Sequence, residues 1–216
     1  MRDIKLSPSV FAAHLSTMQD QIADLEKAGC DYLHVDVMDG RFVEHMGFGP
    51  YHVGMLKEMT SMPLDVHLMV ERPEDKLDAV LEAGADIVTV HQESTTRLLA
   101  CIQKIKSAGA RAGVVLGPAT PPEMVECLLD DVDMVLLMTI NMGEPTRQHF
   151  LTSMLPKIER VNKMIGERPI DLEVDGSIDD KTIKLARSAG ANVFVSGGYL
   201  FKDIPHNVAA LRDAVR

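Results

Sequence analysis

Tryptophan is missing from the 216 residues, and Phe and Tyr bring the aromatic content to only 4%. Large flat side chains therefore cannot dominate the core. Methionine, at 14 residues, supplies adaptable apolar bulk instead, and most such residues need no functional explanation. Positive charge is also scarce: 22 Lys and Arg stand against 32 Asp and Glu, a formal net charge of −10. Without a basic stripe no nucleic-acid partner is expected. Apolar runs fall well short of a membrane span, so no membrane association is expected, and MRDIKLSPSV lacks the apolar stretch of a signal peptide. Cys30, Cys101 and Cys127 are scattered without a metal-ligand spacing, which fits a reducing, cytoplasmic setting.

What is present is a rhythm. Amphipathic segments close on an Ala-Gly stop and run directly into short β-branched stretches: EKAGCDYLHVDV, LEAGADIVTVH, KSAGARAGVVL and RSAGANVFVS. Each reads as a helix with a glycine C-cap feeding a strand. Strands are expected at 5–10, 31–37, 62–69, 86–91, 111–116, 132–138, 169–174 and 192–195. Helices are expected near 17–28, 51–59, 73–82, 95–108, 122–128, 147–164, 180–189 and 206–215. Eight βα units without a linker predict one α/β domain over 1–216, a closed (β/α)8 barrel. The competing reading, an open doubly wound sheet, lacks a GxGxxG after the first strand.

Barrel sites are assembled at the C-terminal ends of strands, and the polar residues of this chain gather there. Ser7 and Ser9 share a face of the first strand, His34 and Asp36 of the second, and Asp65, His67 and Met69 of the third. The fourth ends in Thr89 and His91 with Glu93 just beyond, and the seventh places Asp171, Glu173 and Asp175 on one face. Taken singly, His91 reads equally well as a hydrogen-bonded core or rim residue, Asp171 and Glu173 as a buried polar network, and Asp39 and Asp65 as turn or supporting residues. His34, Asp36, His67 and Asp175 are different, because burying several ionisable groups together is costly unless they are paired or metal-bound. Two imidazoles and two carboxylates suit one divalent transition metal.

SPSVFAAHLSTM, YLHVDVMDGRFVEHMGFGP, PLDVHLMVERPE, GADIVTVHQE, AGVVLGPATP, DMVLLMTINMG and IDLEVDGSI follow one another in an order and spacing that resembles the ribulose-phosphate 3-epimerase family, including its allulose-6-phosphate branch, over nearly the whole chain. The resemblance implies a barrel of the ribulose-phosphate-binding type with one divalent metal ion (Zn, Fe, Mn or Co). It implies ligation by His34, Asp36, His67 and Asp175, with Asp36 and Asp175 also the proton-transfer pair that inverts C3 of a ketose phosphate, most simply D-ribulose 5-phosphate. Ser9 and His67 are expected to contact substrate, and Met38, Met69 and Met138 to line the reacting region. Gly143, Arg147, Gly176, Ser177, Gly197 and Gly198 are expected to hold the phosphate, and the assembly to be a homo-oligomer, a dimer or hexamer.

One segment departs from that pattern. The family's Pro-Gly-Phe-Gly-Gly-Gln run after strand six reads INMGEPTRQHF here, with Met142 in place of the proline and Gly143 and Gln148 as surviving matches. Glycine-rich turns present backbone N–H groups to an anion, so this loop is expected to hold phosphate more weakly. That leaves allulose 6-phosphate or a tetrulose phosphate as alternative substrates. Two further readings are a metal-dependent hydrolase or aldolase and a non-catalytic sugar-phosphate-binding homologue. The first lacks an inward strand-end lysine for a Schiff base, and the second is at odds with an intact His34, Asp36, His67 and Asp175 set.

Overall fold

The computed structural model describes residues 2–143 and 148–216. Eight strands form one parallel sheet: β1 Lys5–Pro8, β2 Leu33–Met38, β3 Leu64–Met69, β4 Ile87–His91, β5 Arg111–Leu116, β6 Met134–Met138, β7 Asp171–Asp175 and β8 Val193–Ser196. Each is hydrogen-bonded to the next along the chain from β2 to β8, and β8 pairs back onto β1. A lone parallel bridge between Ser9 and His34 closes the remaining seam between β1 and β2. The expected (β/α)8 barrel is the fold observed.

Among the described residues, seven α-helices surround the sheet: α1 Met18–Lys27, α2 Pro50–Met59, α3 Leu77–Glu82, α4 Leu98–Ser107, α5 Leu155–Ile165, α6 Thr182–Ala189 and α7 Ile204–Ala214. The four Ala-Gly stops end α1, α3, α4 and α6. Gly29, at φ +80°, turns the chain so that the Cys30 N–H reaches back to the Leu25 carbonyl at 3.1 Å. Two expectations need correction. The segment Pro122–Leu128 is a 3-10 helix rather than an α-helix. The helix expected from 147 begins only at Leu155, after a 3-10 turn over Thr152–Met154, because Pro156 occupies the first turn, where its fixed φ and missing N–H are tolerated.

Strands in such a sheet are covered on both faces. Outward residues such as Val35, Val66, Val114 and Leu172 join the helices in the main apolar cluster. Inward residues stack in layers. At the N-terminal end of the barrel Tyr32, Ile87, Met134 and Val193 form a small apolar plug, ringed by Lys5, Arg111 and Asp171. The layers nearer the C-terminal end are polar, and there the fold concentrates its buried histidines and carboxylates.

Candidate metal and substrate site

Three strands, β2, β3 and β7, aim side chains at one point. In the parallel register of β2 and β3, Asp36 lies beside His67 and His34 beside Asp65. Period-two alternation sends all four inward while Val35, Val37, Val66 and Leu68 face the helices. Asp175 arrives from the end of β7, paired with Met138 of β6.

His34, Asp36 and His67 each have one side occupied and one side facing the centre. His34 Nδ1 lies 2.7 Å from Asp65 Oδ2, which also accepts the Ser7 hydroxyl at 2.9 Å. His34 Nε2 is left without a hydrogen bond, 3.5 Å from Asp36 Oδ1 and 4.0 Å from Asp175 Oδ2. Ser9 donates to Asp36 Oδ2 at 2.6 Å. His67 Nδ1 is likewise unpartnered, 3.5 Å from Asp36 Oδ1 and 3.8 Å from Asp175 Oδ2.

Two buried imidazole nitrogens left bare would be costly without a ligand. A tetrahedral ion with bonds near 2.1 Å places its donor atoms roughly 3.4 Å apart, and these spacings lie close to that. The donor set therefore fits one divalent metal ion of the zinc, iron, manganese or cobalt kind. A second, deeper group, His34, Asp65 and Glu173, also meets the spacing for a metal. There, however, His34 Nδ1 is already engaged by Asp65, and the group backs the first one.

Electrostatics separates the two aspartates. Burial opposes ionisation of Asp36, but the charge of His34 and hydrogen bonds from His34 and His67 hold it well below the usual carboxylate range. Burial dominates at Asp175 and, with the nearby charges of Asp36 and Asp65, pushes it up to about 7 despite the opposing pull of His34. Burial lowers His67 and keeps it neutral. One site thus holds two carboxyl groups whose acidities are pushed apart, an arrangement suited to paired acid and base work.

The site opens into a cleft of about 820 Å³ whose lining includes Ser9, Asp175, Gly176, Ser177, Gly197 and Gly198. Gly176, at φ +129°, permits a close approach: a Cβ there would fall 2.6 Å from Ile140 Cγ1. Ser177 also adopts a left-handed backbone, φ +54°, uncommon for a residue with a side chain. Its hydroxyl donates to the Gln148 carbonyl at 3.0 Å. On the other flank Met38 and Met69 pack with Val43, and Met138 with Val115 and Leu136, while Met142 touches both groups. Gly143 lies against Val43. Arg147 lies outside the described residues.

Asp65, read as a turn or supporting residue, is wholly buried and supports His34 directly. Two residues have larger parts in this geometry than their sequence positions suggested. His91, read as equally at home as a hydrogen-bonded core or rim residue, is wholly buried and touches His67, with the two Nε2 atoms 2.8 Å apart. Glu93 lies 3.2 Å from His91 Nδ1. It is held down to about 2: burial raises it, but hydrogen bonds from His91, Thr120 and the Gly117 N–H outweigh that. The sequence signal was the period-two run Thr89, His91, Glu93, continued past the strand end.

Comparison with known proteins agrees with this geometry. Residues 5–201 match the model of the ribulose-phosphate 3-epimerase family. The chain is 44% identical over 201 residues to the ribulose-phosphate 3-epimerase of Bacillus subtilis, covering 92% of each chain. It is 42% identical over 220 residues to the chloroplastic ribulose-5-phosphate-3-epimerase of Arabidopsis thaliana, covering 99% of this chain and 78% of the relative. Among solved structures, the 3-hexulose-6-phosphate synthase of Salmonella typhimurium superposes with a TM-score of 0.75 over 98% of both chains at 17% identity, a likeness of fold alone.

Proposed function

The chain belongs to the ribulose-phosphate 3-epimerase family and is an isomerase, and on that premise we propose that it interconverts D-ribulose 5-phosphate and D-xylulose 5-phosphate by proton transfer at C3. The observation that carries the reading is the pair Asp36 and Asp175. They come from β2 and β7, converge on the bare His34 and His67 nitrogens, and have their acidities shifted in opposite directions. A C3 proton beside a ketone is acidic enough for a positioned carboxylate to remove, and inversion requires a second carboxyl group on the other face.

In this scheme Asp36, ionised and oriented by the Ser9 hydroxyl, accepts the C3 proton from one face of the sugar. Asp175, protonated, delivers a proton to C3 from the other. The reverse reaction exchanges their roles. His34, Asp36, His67 and Asp175 would hold a divalent cation, which supplies positive charge next to the oxygens where the enediolate's negative charge develops. Met38, Met69 and Met138 present apolar surface to the reacting carbons and limit water near the carbanion. Gly176, Ser177, Gly197 and Gly198 line the cleft where backbone N–H groups can meet the phosphate.

The loop after β6 supports a second reading of the substrate. Met142 stands where the family pattern has proline and packs across the top of the barrel, while the Ser177 hydroxyl is already spent on the Gln148 carbonyl. A changed lid and cradle are compatible with allulose 6-phosphate or a tetrulose phosphate. The test is C3 proton exchange with deuterated water, followed by NMR, for a panel of ketose phosphates and the matching free sugars. Exchange is expected for at least one phosphate and fastest for ribulose 5-phosphate. No exchange with any of them would refute the epimerase reading, and exchange with free sugars alone would refute the phosphate assignment.

A further inference from the structure

The two histidines at the site are backed in different ways. His34 rests directly on a carboxylate, Asp65. His67 rests on another histidine: its Nε2 lies 2.8 Å from His91 Nε2, with the rings stacked at a centroid distance of 5.0 Å. Both rings are wholly buried, so one shared proton lies between these nitrogens. The contact alone does not say which nitrogen carries it.

The rim of the barrel decides. Glu93 Oε1 accepts the Gly117 N–H at 2.7 Å and the Thr120 hydroxyl, and Glu93 Oε2 lies 3.2 Å from His91 Nδ1. An ionised carboxylate can only accept, so His91 carries its proton on Nδ1 and its Nε2 is an acceptor. His67 must then donate from Nε2. Its other nitrogen, Nδ1, is left with a free lone pair 3.5 Å from Asp36 Oδ1.

We propose that Glu93, acting through His91, is a positioning residue for the cation site, because it fixes the tautomer that leaves His67 Nδ1 free to bind a metal ion. The inference rests on the metal-binding part of the function proposed above. It extends to two imidazoles in series the arrangement in which a carboxylate orients a single metal-ligating histidine.

Glu93→Gln gives a test that packing alone would not pass. The Gly117 N–H can only donate, so the amide oxygen keeps that contact and the amide nitrogen faces His91 Nδ1. The relay then runs backwards: His91 accepts at Nδ1 and donates from Nε2, His67 accepts at Nε2, and the proton moves to His67 Nδ1. Glu93→Ala only removes the bias. In the full-length chain, Co²⁺ affinity would be followed by visible absorption, and ring protonation by ¹⁵N NMR of the cation-free protein. Glu93→Gln is expected to weaken Co²⁺ binding about tenfold or more, with Glu93→Ala losing less, and to move the His67 proton from Nε2 to Nδ1. Unchanged affinity with an unchanged tautomer overturns the proposal, as does a larger loss in Glu93→Ala than in Glu93→Gln. If Glu93→Gln does not fold, a mixed His67 tautomer in Glu93→Ala supports the relay and a pure Nε2–H form overturns it. A wild-type chain that takes up no Co²⁺ refutes the metal reading underneath, a result separate from the tautomer measured without metal.

Discussion

Asp171 and Asp175 lie four residues apart on β7, both facing the barrel interior, and they live in opposite environments. At the N-terminal end, Asp171 Oδ1 accepts from Lys5 and Asn192 and Oδ2 from Lys5 and Arg111. Against burial, these donors lower its pKa. At the C-terminal end, Asp175 has buried histidines and carboxylates for neighbours, and burial pushes it up to about 7. One end of the barrel satisfies its polar groups within the chain, and the other leaves them available. The first arrangement supports the fold and the second is suited to binding and proton transfer.

The largest effect expected from breaking this contrast is on turnover. Asp175→Asn or Asp36→Asn should lower C3 proton exchange by about 10³-fold or more, within the range for removing a general acid or base. Near-full turnover in either variant would count against the two-aspartate scheme. The matching change at the other end should act on stability instead. Asp171→Ala leaves Lys5 and Arg111 without their carboxylate and should cost about 3 kcal/mol by urea unfolding, with turnover per folded molecule retained.

The pH dependence sharpens the comparison, because the two shifts have opposite signs. Asp171, lowered from 3.8, stabilises the fold above that value and loses its contribution as pH falls below it. Asp175, raised from 3.8 to about 7, binds more protons folded than unfolded between those values, so the cation-free protein loses stability as pH rises through them. Asp175→Asn should therefore raise the cation-free Tm at pH 8 and leave it unchanged at pH 3. A lower Tm at pH 8 would show Asp175 to be a structural residue like Asp171. Cation binding should also release more protons at pH 6 than at pH 8, as read by calorimetry in buffers of different ionisation enthalpy. The smallest effect is expected at Ser9→Ala, which removes the 2.6 Å hydrogen bond to Asp36. Turnover should fall about tenfold, while unfolding free energy changes by about 1 kcal/mol.

The barrel was legible in the sequence because its two determinants are local. The Ala-Gly stops mark where each helix ends, and period-two alternation marks which strand residues share a face. The same alternation put His34, Asp36, His67 and Asp175 on the inner surface. It could not show which inward residues touch across strands. The His67–His91 contact depends on how β3 and β4 are staggered, with His67 paired to Thr89 rather than to His91, and no spacing within one strand encodes that. Helix starts were also misplaced where one residue outweighed a periodic pattern, as Pro156 does at the head of α5.

The seam between β1 and β2 has a consequence for how the molecule is made. β1 finds its ladder on β8, from Lys5 opposite Val193 to Pro8 opposite Ser196, and meets β2 without a ladder, through the bridge from Ser9 to His34 and the Asp31 N–H on the Leu6 carbonyl. During synthesis the first strand therefore waits for the last. At about 5–20 residues per second that delay is roughly 10–40 s, during which Ser9 has no settled place beside Asp36. The strand that carries Ser9 towards Asp36 is therefore fixed in place only once β8 has been made.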